Sequence, residues 1–362
     1  MTPIRILLVA PSLNILGGQA IQADLLCRQL SRQPGLELEF QPIDPLLPGP
    51  LRALQQVKYV RTLVTELFYG FTLLFKIPRC SIVHVFGAGF FSFLLAPAPA
   101  ILLGKVFGKR VVLHYHDGRA EDHLKNWPGA AAIIGLADAV VVPSRFLVDL
   151  FARYGILARS IFNILDTSRF HYRERPRPRP ILLHNRGLEL EYNVPCSLRA
   201  FALVQQRYPD ASLTIAHNGS LRAELERLAA GLDLANVRFV GKVSPDRVPD
   251  LYDAADVYIM SPDLDNMPGS VLECFASGLP VVSTNAGGVP YILADGETGL
   301  LAGRGDHQAL AACVLRLIEE ESLASRLTAT ARRECDKYSA VRAGADWLKL
   351  YRKLAFSKGK DA

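Results

Sequence analysis

Two acidic residues and a glycine-rich turn lie close together in the segment 261–291 and could bind a ligand that has both hydroxyls and phosphates. Asp265 lies in a polar Pro/Gly loop, and Glu273 lies eight residues later, within a short predicted helix. The glycine pair 287–288 forms a turn after the predicted strand 280–284. In a parallel sheet these residues would lie at the carboxyl edge of the strands, where open α/β sheets bind ligands. A nucleotide sugar is a ligand of this kind.

The first half of the chain predicts a doubly wound sheet with a glycine turn of its own. The nearly unbroken apolar run Ile4–Ala10 is typical of a buried parallel strand. Gly17 and Gly18 follow it and lead into a predicted helix over 19–31. A strand, a glycine turn and a helix in this order bring N–H groups and a helix dipole against phosphate oxygens. Further strands alternate with helices over 82–142, which indicates an α/β fold.

The second half repeats this alternation after a boundary rich in proline and arginine. Pro and Arg alternate in Arg169–Arg179, a pattern that fits neither a helix nor a central strand, so we expect a solvated, extended linker. We predict an N-terminal domain over 1–172, a C-terminal domain over 173–345 and a final helix over 346–362. With 362 residues the chain is long enough for two domains with separate cores.

Composition and charge are typical of a soluble α/β protein, with an uneven distribution of charge. Half of the residues are hydrophobic and 21% are charged. The apolar run near the amino terminus is too short for a signal peptide. The six cysteines are scattered without a Cys-x-x-Cys pair, which favours a reducing cytoplasm over a disulfide or zinc framework. Residues 1–180 have 21 Lys and Arg against 12 Asp and Glu, whereas 181–362 have 20 against 23.

The basic first half and two apolar stretches within it raise the question of contact with a membrane. A solvated basic surface is the simpler interpretation, and contact with anionic lipid headgroups or a pyrophosphate-linked acceptor is the alternative. The stretches 67–75 and 87–103 are strongly apolar, but Pro97 and Pro99 interrupt the second, so a spanning helix is not expected. Packing in the core is the favoured interpretation, with interfacial membrane contact as the alternative.

The segment 261–291 resembles the donor-binding stretch of the GT-B fold retaining glycosyltransferases of family 4. In that family the stretch reads Glu, seven residues, Glu, then Gly-Leu-Pro-Val-Val and Gly-Gly-x-Pro-Glu. Here Asp265 stands for the first Glu, Glu273 for the second, and Tyr291 for the acid after Gly-Gly-x-Pro. The resemblance extends over nearly the whole chain. It implies two doubly wound, Rossmann-like domains that face each other across a cleft, with a terminal helix that crosses back to the first domain.

By this resemblance, cations and N–H groups bind the leaving diphosphate of a nucleotide sugar. Arg186 matches a family Arg at the end of a strand, and Gly17 and Gly18 match the loop that approaches the diphosphate. The family has a Lys five residues after that Arg, and this position falls on Glu191, which cannot neutralise a phosphate. Lys242 or the glycine turns could substitute. Loss of one of two cations should cost about 2–4 kcal/mol of transition-state stabilisation.

The resemblance also implies which residues contact the ribose and the sugar. Glu273 would accept hydrogen bonds from the ribose hydroxyls, and Asp265 would hold hydroxyls of the transferred sugar. The family has a histidine after a strand of the first domain that reaches the reacting region. His116 matches it best, with His114 as the alternate, and would orient the donor rather than titrate. The segment expected to present N–H groups to sugar and phosphate comprises Asn266, Met267, Pro268, Gly269 and Ser270.

We therefore expect a metal-independent hexosyltransferase with catalytic roles for His116, Asp265 and Arg186. The co-substrate would be a UDP or GDP sugar, with no other cofactor, and the acceptor a lipid-linked or polysaccharide hydroxyl in exopolysaccharide or glycolipid biosynthesis. The expected location is the cytoplasm, with the inner membrane face as an open alternative, and no nucleic acid partner is expected. Asp263-Leu-Asp265 resembles the metal signature of the GT-A fold, but so short a pattern arises easily by chance.

Two alternatives to a glycosyltransferase stay open on the sequence. A catalytically weak or inactive interaction protein on the same fold would account for Glu191 and Tyr291 at the altered positions. A non-hydrolysing sugar epimerase has the same architecture, but it needs a pair of acid and base residues that the sequence does not identify. Binding of nucleotides and analysis of products distinguish the three.

Overall fold

The computed structural model describes residues 3–14, 17–58 and 60–356. These residues form two compact units. The first unit contains the described residues up to Ile164 and those from Ala340 onward, and the second contains Leu165–Ser339.

Six parallel strands form the sheet of the first unit. The strands are β1 (Ile4–Ala10), β2 (Leu36–Pro42), β3 (Ile82–Gly87), β4 (Arg110–Tyr115), β5 (Ala139–Val142) and β6 (Ala158–Ser160). Their order across the sheet is β2-β1-β3-β4-β5-β6. Side chains alternate between the two faces, so that Leu7 and Val9 pack in one core and Ile6 and Leu8 in the other. Because both faces are covered, β1 reads as a continuous apolar run.

Seven helices of the first unit precede the second unit in the chain. They are α1 (Gly18–Leu30), α2 (Val60–Lys76), α3 (Phe90–Leu95), α4 (Pro97–Val106), α5 (Ala120–Asn126), α6 (Pro128–Ile134) and α7 (Arg145–Arg153). Ser144 caps α7 by accepting a hydrogen bond from the N–H of Leu147, as its position before the helix predicts.

The second unit is also a doubly wound parallel sheet. Its strands are β7 (Ile181–Asn185), β8 (Ser212–Ala216), β9 (Val237–Gly241), β10 (Val257–Ile259), β11 (Val281–Thr284) and β12 (Leu300–Ala302). Their order is β12-β11-β10-β7-β8-β9. Its helices are α8 (Val194–Arg207), α9 (Arg222–Gly231), α10 (Val248–Ala254), α11 (Gly269–Ser277), α12 (His307–Glu319) and α13 (Leu323–Glu334). The predicted class, α/β with two doubly wound sheets, is confirmed.

The last helix, α14 (Ala340–Phe356), belongs to the first unit. Trp347 and Tyr351 are buried there against His84 of β3, and the Tyr351 hydroxyl lies 2.6 Å from Nδ1 of His84. The units therefore divide at 164/165 and 339/340, which differ from the predicted boundaries at 172/173 and 345/346. The first boundary moves because the segment after Ile164 packs on the second unit.

The segment Arg169–Arg179 is not a solvated linker, and that prediction is wrong. Arg175 is only 2% exposed. Its guanidinium donates to backbone carbonyl oxygens that include those of Tyr252, Ala255 and Ser277. The buried Asp256 accepts hydrogen bonds from Arg173 and Arg179. Arg173, Arg175 and Arg179 clamp this extended segment onto the second unit because each finds a buried carboxylate or carbonyl oxygen, whereas Arg177 is 86% exposed.

No helix within the described ranges has both the length and the apolar character needed to cross a membrane.

Candidate functional site

The carboxyl edge of the second sheet brings the main sequence-predicted residues together. Arg186 is the first residue beyond β7. The loop 260–268 follows β10 and contains Asp265, and α11 after it contains Glu273. Because β7 and β10 are hydrogen-bonded neighbours in a parallel sheet, their ends lie side by side at one edge.

Arg186 and Asp265 form a buried ion pair at this edge. The Nη2 atom of Arg186 lies 2.5 Å from Oδ2 of Asp265, and the two side chains are 19% and 6% exposed. Burial raises the pKa of Asp265, while the Arg186 charge and the N–H groups of Asn266 and Met267 oppose that shift. The Nε atom of Arg186 is buried without a hydrogen-bond partner in the protein. The guanidinium therefore retains a donor that no protein acceptor satisfies.

Glu273 is half-buried, and Tyr252 connects it by hydrogen bonds to Asn185, the last residue of β7. The hydroxyl of Tyr252 donates to Oε2 of Glu273 at 2.5 Å, and Nδ2 of Asn185 donates to that hydroxyl at 3.1 Å. Burial raises the pKa of Glu273, and the Tyr252 hydrogen bond and the charges of Arg169 and Arg186 oppose the shift. Glu273 thus lies within the electrostatic field of Arg186, as expected for two groups on one edge. The sequence did not single out Tyr252 or Arg169.

The glycine pair after β11 supports the loop that contains Asp265. The N–H of Gly288 donates to the backbone carbonyl of Asp265 at 2.7 Å. A Cβ atom on Gly288 would lie 1.7 Å from the carbonyl oxygen of Asn266, and one on Gly287 would lie 2.4 Å from that of Asp265. Gly287 also has a φ of +54°, which glycine adopts most readily. These residues are glycines because two backbone segments touch here.

The rest of the loop leads into α11 with little exposed side chain. Asn266 and Met267 are 8% and 6% exposed, and Ser270 is 4% exposed. Pro268 precedes the helix, and Gly269 is the first residue of the helix. A Cβ atom added to Gly269 would have no neighbour within 4 Å. The N–H groups of Asn266 and Met267 bond to the Asp265 carboxylate, and α11 begins two residues after Met267. Binding of sugar and phosphate by this segment stays a prediction.

An aromatic residue that the sequence did not single out, Tyr192, contacts Arg186. The guanidinium carbon of Arg186 lies 4.6 Å from the centre of the Tyr192 ring. Glu191, where the resemblance aligns the family Lys, is half-buried, and its backbone carbonyl accepts hydrogen bonds from the N–H groups of Asp263 and Leu264. Residue 192, six positions after Arg186, is thus the neighbour of the arginine. No spacing in the sequence indicates that Tyr192 contacts Arg186.

Two other positions named from the sequence lie in exposed surroundings. Lys242 is exposed directly after the edge strand β9, two strands away from β7. Tyr291 is 46% exposed on a short turn, and its N–H donates to the carbonyl of Gly288. Neighbouring strands lie about 4.8 Å apart, so the backbone of Lys242 is about 10 Å from the end of β7. Lys242 is therefore a weak candidate to replace the missing cation.

In the first unit, His116 belongs to a cluster of three histidines. It follows β4, and its ring stacks on Phe86 with centres 4.9 Å apart and lies 4.0 Å from the ring of His114. The ring of His84 lies 5.4 Å from that of His114. Burial lowers the pKa of His116 to about 3 and that of His114 well below its ordinary value. At neutral pH these imidazoles are uncharged, which agrees with an orienting role for His116 rather than a titrating one.

Gly17 and Gly18 lie at the amino end of α1, as the sequence predicts. Gly17 precedes the helix in an extended conformation, and both residues are exposed with nothing within 4 Å of an added Cβ. Packing within the protein therefore does not require glycine at either position. A close approach by a ligand is a reason for glycine that the structure leaves available.

Side chains that could ligate a metal are dispersed in the part of the chain that is described: no group of three His, Cys, Asp or Glu comes together there. Asp263 and Asp265 have different partners. Asp263 accepts a hydrogen bond from Asn193 at 3.2 Å, whereas Asp265 pairs with Arg186.

The fold matches solved structures of glycosyltransferases over almost its full length. Anabaena HepE, in a crystal with UDP and glucose, superposes with a TM-score of 0.75 at 18% identity, covering 97% of this chain and 100% of that one. Sucrose-phosphate synthase from Thermosynechococcus elongatus superposes with a TM-score of 0.76 at 18% identity, covering 97% and 99%. The architecture is therefore the GT-B fold.

Sequence comparison finds a family match within the second unit. Residues 168–334, which span most of that unit, match the sequence model of glycosyl transferases group 1.

The curated relatives are distant, and several are matched over less than half of their length. Alpha-D-kanosaminyltransferase of Streptomyces kanamyceticus is 26% identical over 70% of this chain and 73% of its own. Sulfoquinovosyl transferase SQD2 of Arabidopsis thaliana is 27% identical over 56% of this chain and 42% of its own. The amylovoran biosynthesis glycosyltransferase AmsK of Erwinia amylovora is 32% identical over 35% and 33%.

Proposed function

We propose that the protein transfers a hexose from a nucleotide diphosphate sugar to an acceptor hydroxyl. The observation that supports this best is the edge formed by Arg186, Asp265 and Glu273. It combines a partly exposed cation, a carboxylate beside it and a second carboxylate within reach of their charges. A nucleotide sugar needs these three kinds of contact, for its diphosphate, its sugar hydroxyls and its ribose. The solved structure of HepE contains UDP and glucose, which agrees with a UDP sugar as donor.

In this proposal Arg186 meets the negative charge that builds on the leaving diphosphate. Its Nε atom is buried without a protein acceptor, and the loop that contains Asp265 leads into the amino end of α11, whose N–H groups would add contacts with phosphate. Fixed donors aimed at developing charge stabilise a transition state without reorganisation. Glu273 accepts from the ribose diol, Asp265 from sugar hydroxyls, and His116 orients the donor as a neutral imidazole. Gly17 and Gly18, at the amino end of α1, are the residues of the first unit proposed to bind phosphate.

We further infer retention of anomeric configuration and independence from metal. Retention rests on the resemblance to family 4 alone, and the stereochemistry of the product tests it. Metal independence rests on the pairing of Asp265 with Arg186, which leaves Asp263 without a second carboxylate to share a cation. Turnover that is unchanged by EDTA supports this inference, whereas turnover lost in EDTA and restored by manganese overturns it.

The acceptor in this proposal is a lipid-linked or polysaccharide hydroxyl. The match to the amylovoran biosynthesis glycosyltransferase AmsK supports that class. The reaction would then take place in the cytoplasm or at the inner face of the membrane.

The donor is identified by thermal unfolding in a panel of UDP, GDP, ADP and dTDP sugars. A ligand at about 100 times its dissociation constant adds about 2.7 kcal/mol to the free energy of unfolding, so a genuine donor separates clearly from the panel. Hydrolysis of the same donor, measured as release of nucleoside diphosphate, tests chemistry. If no member of the panel shifts the midpoint, the proposal fails.

An inactive interaction protein on the same fold is the second candidate. Tyr192, rather than a cation, stacks on Arg186, and this favours weaker stabilisation of the leaving group. This candidate predicts nucleotide binding without turnover in the presence of any acceptor. Release of nucleoside diphosphate at a rate abolished by Arg186→Ala rules it out.

A further inference from the structure

Helix α2 of the first unit presents an apolar face to solvent. Leu63, Leu67, Phe71 and Leu74 follow one another at spacings of three or four residues, which places them on one stripe of the helix. They are between 45% and 66% exposed, and Phe75 beside them is 54% exposed. The rings of Phe71 and Phe75 are in contact, with centres 4.7 Å apart. We call this stripe the α2 face.

The α2 face is distinct from the side of the helix that packs into the core. Tyr69 and Leu73 lie on the opposite side and are 1% and 0% exposed. The hydroxyl of Tyr69 donates to the carbonyl of Ala96, which ties that side to the residues before α4. Folding of this unit buries only one of the two apolar sides of the helix. The outer side is therefore available for a partner.

Exposed apolar side chains are concentrated in the stretch of the chain that contains α2 rather than spread over all of it. Among the described residues, fifteen large exposed hydrophobic side chains lie between 46 and 107, whereas the whole second unit has three. Those near α2 in the sequence are Leu51, Leu54, Val57 and Val60, and those on α3 and α4 or just after them are Phe91, Leu94, Leu102, Val106 and Phe107. Clusters of this kind mark interaction surfaces, whereas single exposed apolar residues do not.

The charges in the same stretch are almost all positive. Residues 46–110 contain eight Lys and Arg and a single acidic residue, Glu66. Arg52, Lys58 and Arg61 are exposed at or just before the start of α2. Lys105 and Arg110 pair with Asp138, so part of the positive charge is already neutralised. Burial raises the pKa of Glu66 to about 7, which reduces the negative charge within the stretch at neutral pH.

We propose that the α2 face docks the first unit onto the surface of a bilayer that contains anionic phospholipid. Exposed leucine and phenylalanine side chains enter the boundary between headgroups and acyl chains, and the exposed Arg52 and Arg61 contact lipid phosphates. Charge complementarity selects this partner. A second copy of the chain would bring two surfaces of the same positive sign together, which is unfavourable.

This docking deepens the proposed function because it would place the first unit where a lipid-linked acceptor lies. The test of docking does not depend on that function, because binding to vesicles is measured without donor or acceptor. Failure of vesicle binding therefore leaves the donor panel unaffected, and failure of the donor panel leaves vesicle binding unaffected.

The test is flotation of the full chain with vesicles of phosphatidylcholine alone or mixed with phosphatidylglycerol. We expect the protein to float with the anionic vesicles, to float at least about tenfold less with the neutral ones, and to be released as salt is raised. The variant L67S/F71S should lower partition onto anionic vesicles by about tenfold or more. Its thermal midpoint should stay close to that of the wild type, because both side chains are already more than half exposed.

Two controls separate docking from a general loss of apolar surface. Leu157→Ser alters another side chain of the first unit, 90% exposed and outside the stretch 46–110, and should leave flotation unchanged. Arg52→Glu with Arg61→Glu should weaken flotation on anionic vesicles only. Wild-type protein that stays at the bottom of the gradient with anionic vesicles overturns the proposal. So does a L67S/F71S variant that floats as well as the wild type, or sedimentation that shows a stable dimer dissolved by L67S/F71S.

Discussion

The guanidinium of Arg186 and the carboxylate of Asp265 meet at 2.5 Å although 79 residues separate them in the chain. Both side chains are largely removed from solvent. In the proposed reaction each would also contact the donor, so ligand binding must exchange part of this ion pair for contacts with phosphate and sugar. The pair therefore links folding stability to donor binding.

Arg186→Ala is expected to abolish donor binding and also to destabilise the second unit. Removal of one partner leaves the Asp265 carboxylate buried without its cation, which costs about 3–5 kcal/mol. In the double variant R186A/D265N the charge is gone, so most of that stability should return while donor binding does not. Urea denaturation and calorimetry with the donor measure the two effects. Wild-type turnover in Arg186→Ala would remove this arginine from the site.

Tyr252→Phe tests the hydrogen bond to Glu273. The variant removes the hydroxyl that donates to the carboxylate, and a hydrogen bond to a charged group contributes about 1.5–3 kcal/mol. We expect nucleotide affinity to fall about tenfold, because Glu273 loses the contact that orients it. Tyr258→Phe is the matched control, since that hydroxyl donates to the carbonyl of Asn185 at 3.3 Å and not to Glu273. Equal affinities for the two variants would contradict the role given to Tyr252.

Gly288→Ala should displace the loop that contains Asp265. The added Cβ would lie 1.7 Å from the carbonyl oxygen of Asn266, so one backbone must move. We expect a loss of about 2–4 kcal/mol in the free energy of unfolding, as for other strained core substitutions, and loss of donor binding. Gly303→Ala is the control, because its nearest neighbour would be Cβ of Asp306 at an ordinary 3.7 Å. A Gly288→Ala protein with unchanged donor affinity would show that the loop position does not matter.

Acid should destabilise the first unit through its buried histidines. Burial lowers the pKa of His84 and of His116 to about 3, whereas unfolded histidine titrates near about 6.5. Between these values the unfolded chain binds more protons, so the free energy of unfolding is retained above about pH 6.5 and falls as pH decreases toward about 3. His114→Leu removes one such group and should flatten the curve by up to about 1.4 kcal/mol per pH unit.

The control for this prediction is His171→Leu, since His171 is exposed on the second unit. Its curve of unfolding free energy against pH should follow that of the wild type. If His114→Leu and His171→Leu give the same slope, the histidine cluster does not govern acid stability.

Elements that are long and apolar on both faces could be predicted from the sequence. The strand β1 occupies the predicted range Ile4–Ala10, and β11 lies within the predicted strand 280–284. The edge strands β2, β6 and β12 were not predicted. Most of β2 alternates between half-buried and exposed residues, and β6 and β12 have only three residues each, so none of them forms a long apolar run.

Part of the candidate site could also be predicted, because the end of a parallel strand and a glycine turn are local features of the chain. Arg186 and Asp265 follow neighbouring strands, and the Gly-Gly turn lies against the Asp265 loop. The aromatic side chains that contact the site residues could not be predicted in this way. Tyr252 reaches Glu273 from α10, and Tyr192 reaches Arg186 from the turn before α8. Such contacts depend on how helices pack on the sheet, and no spacing in the chain encodes them.

Taken alone, the sequence determined the two parallel sheets, the glycine turns and the residues at the carboxyl edges, because strand burial and backbone conformation are set by neighbouring residues. Only the tertiary structure decided that Arg173, Arg175 and Arg179 are clamped rather than solvated, that Arg186 is paired with Asp265, and that α2 has an apolar side left outside. Each of these outcomes depends on which distant groups satisfy a charge or cover a surface, and packing of the whole chain settles that.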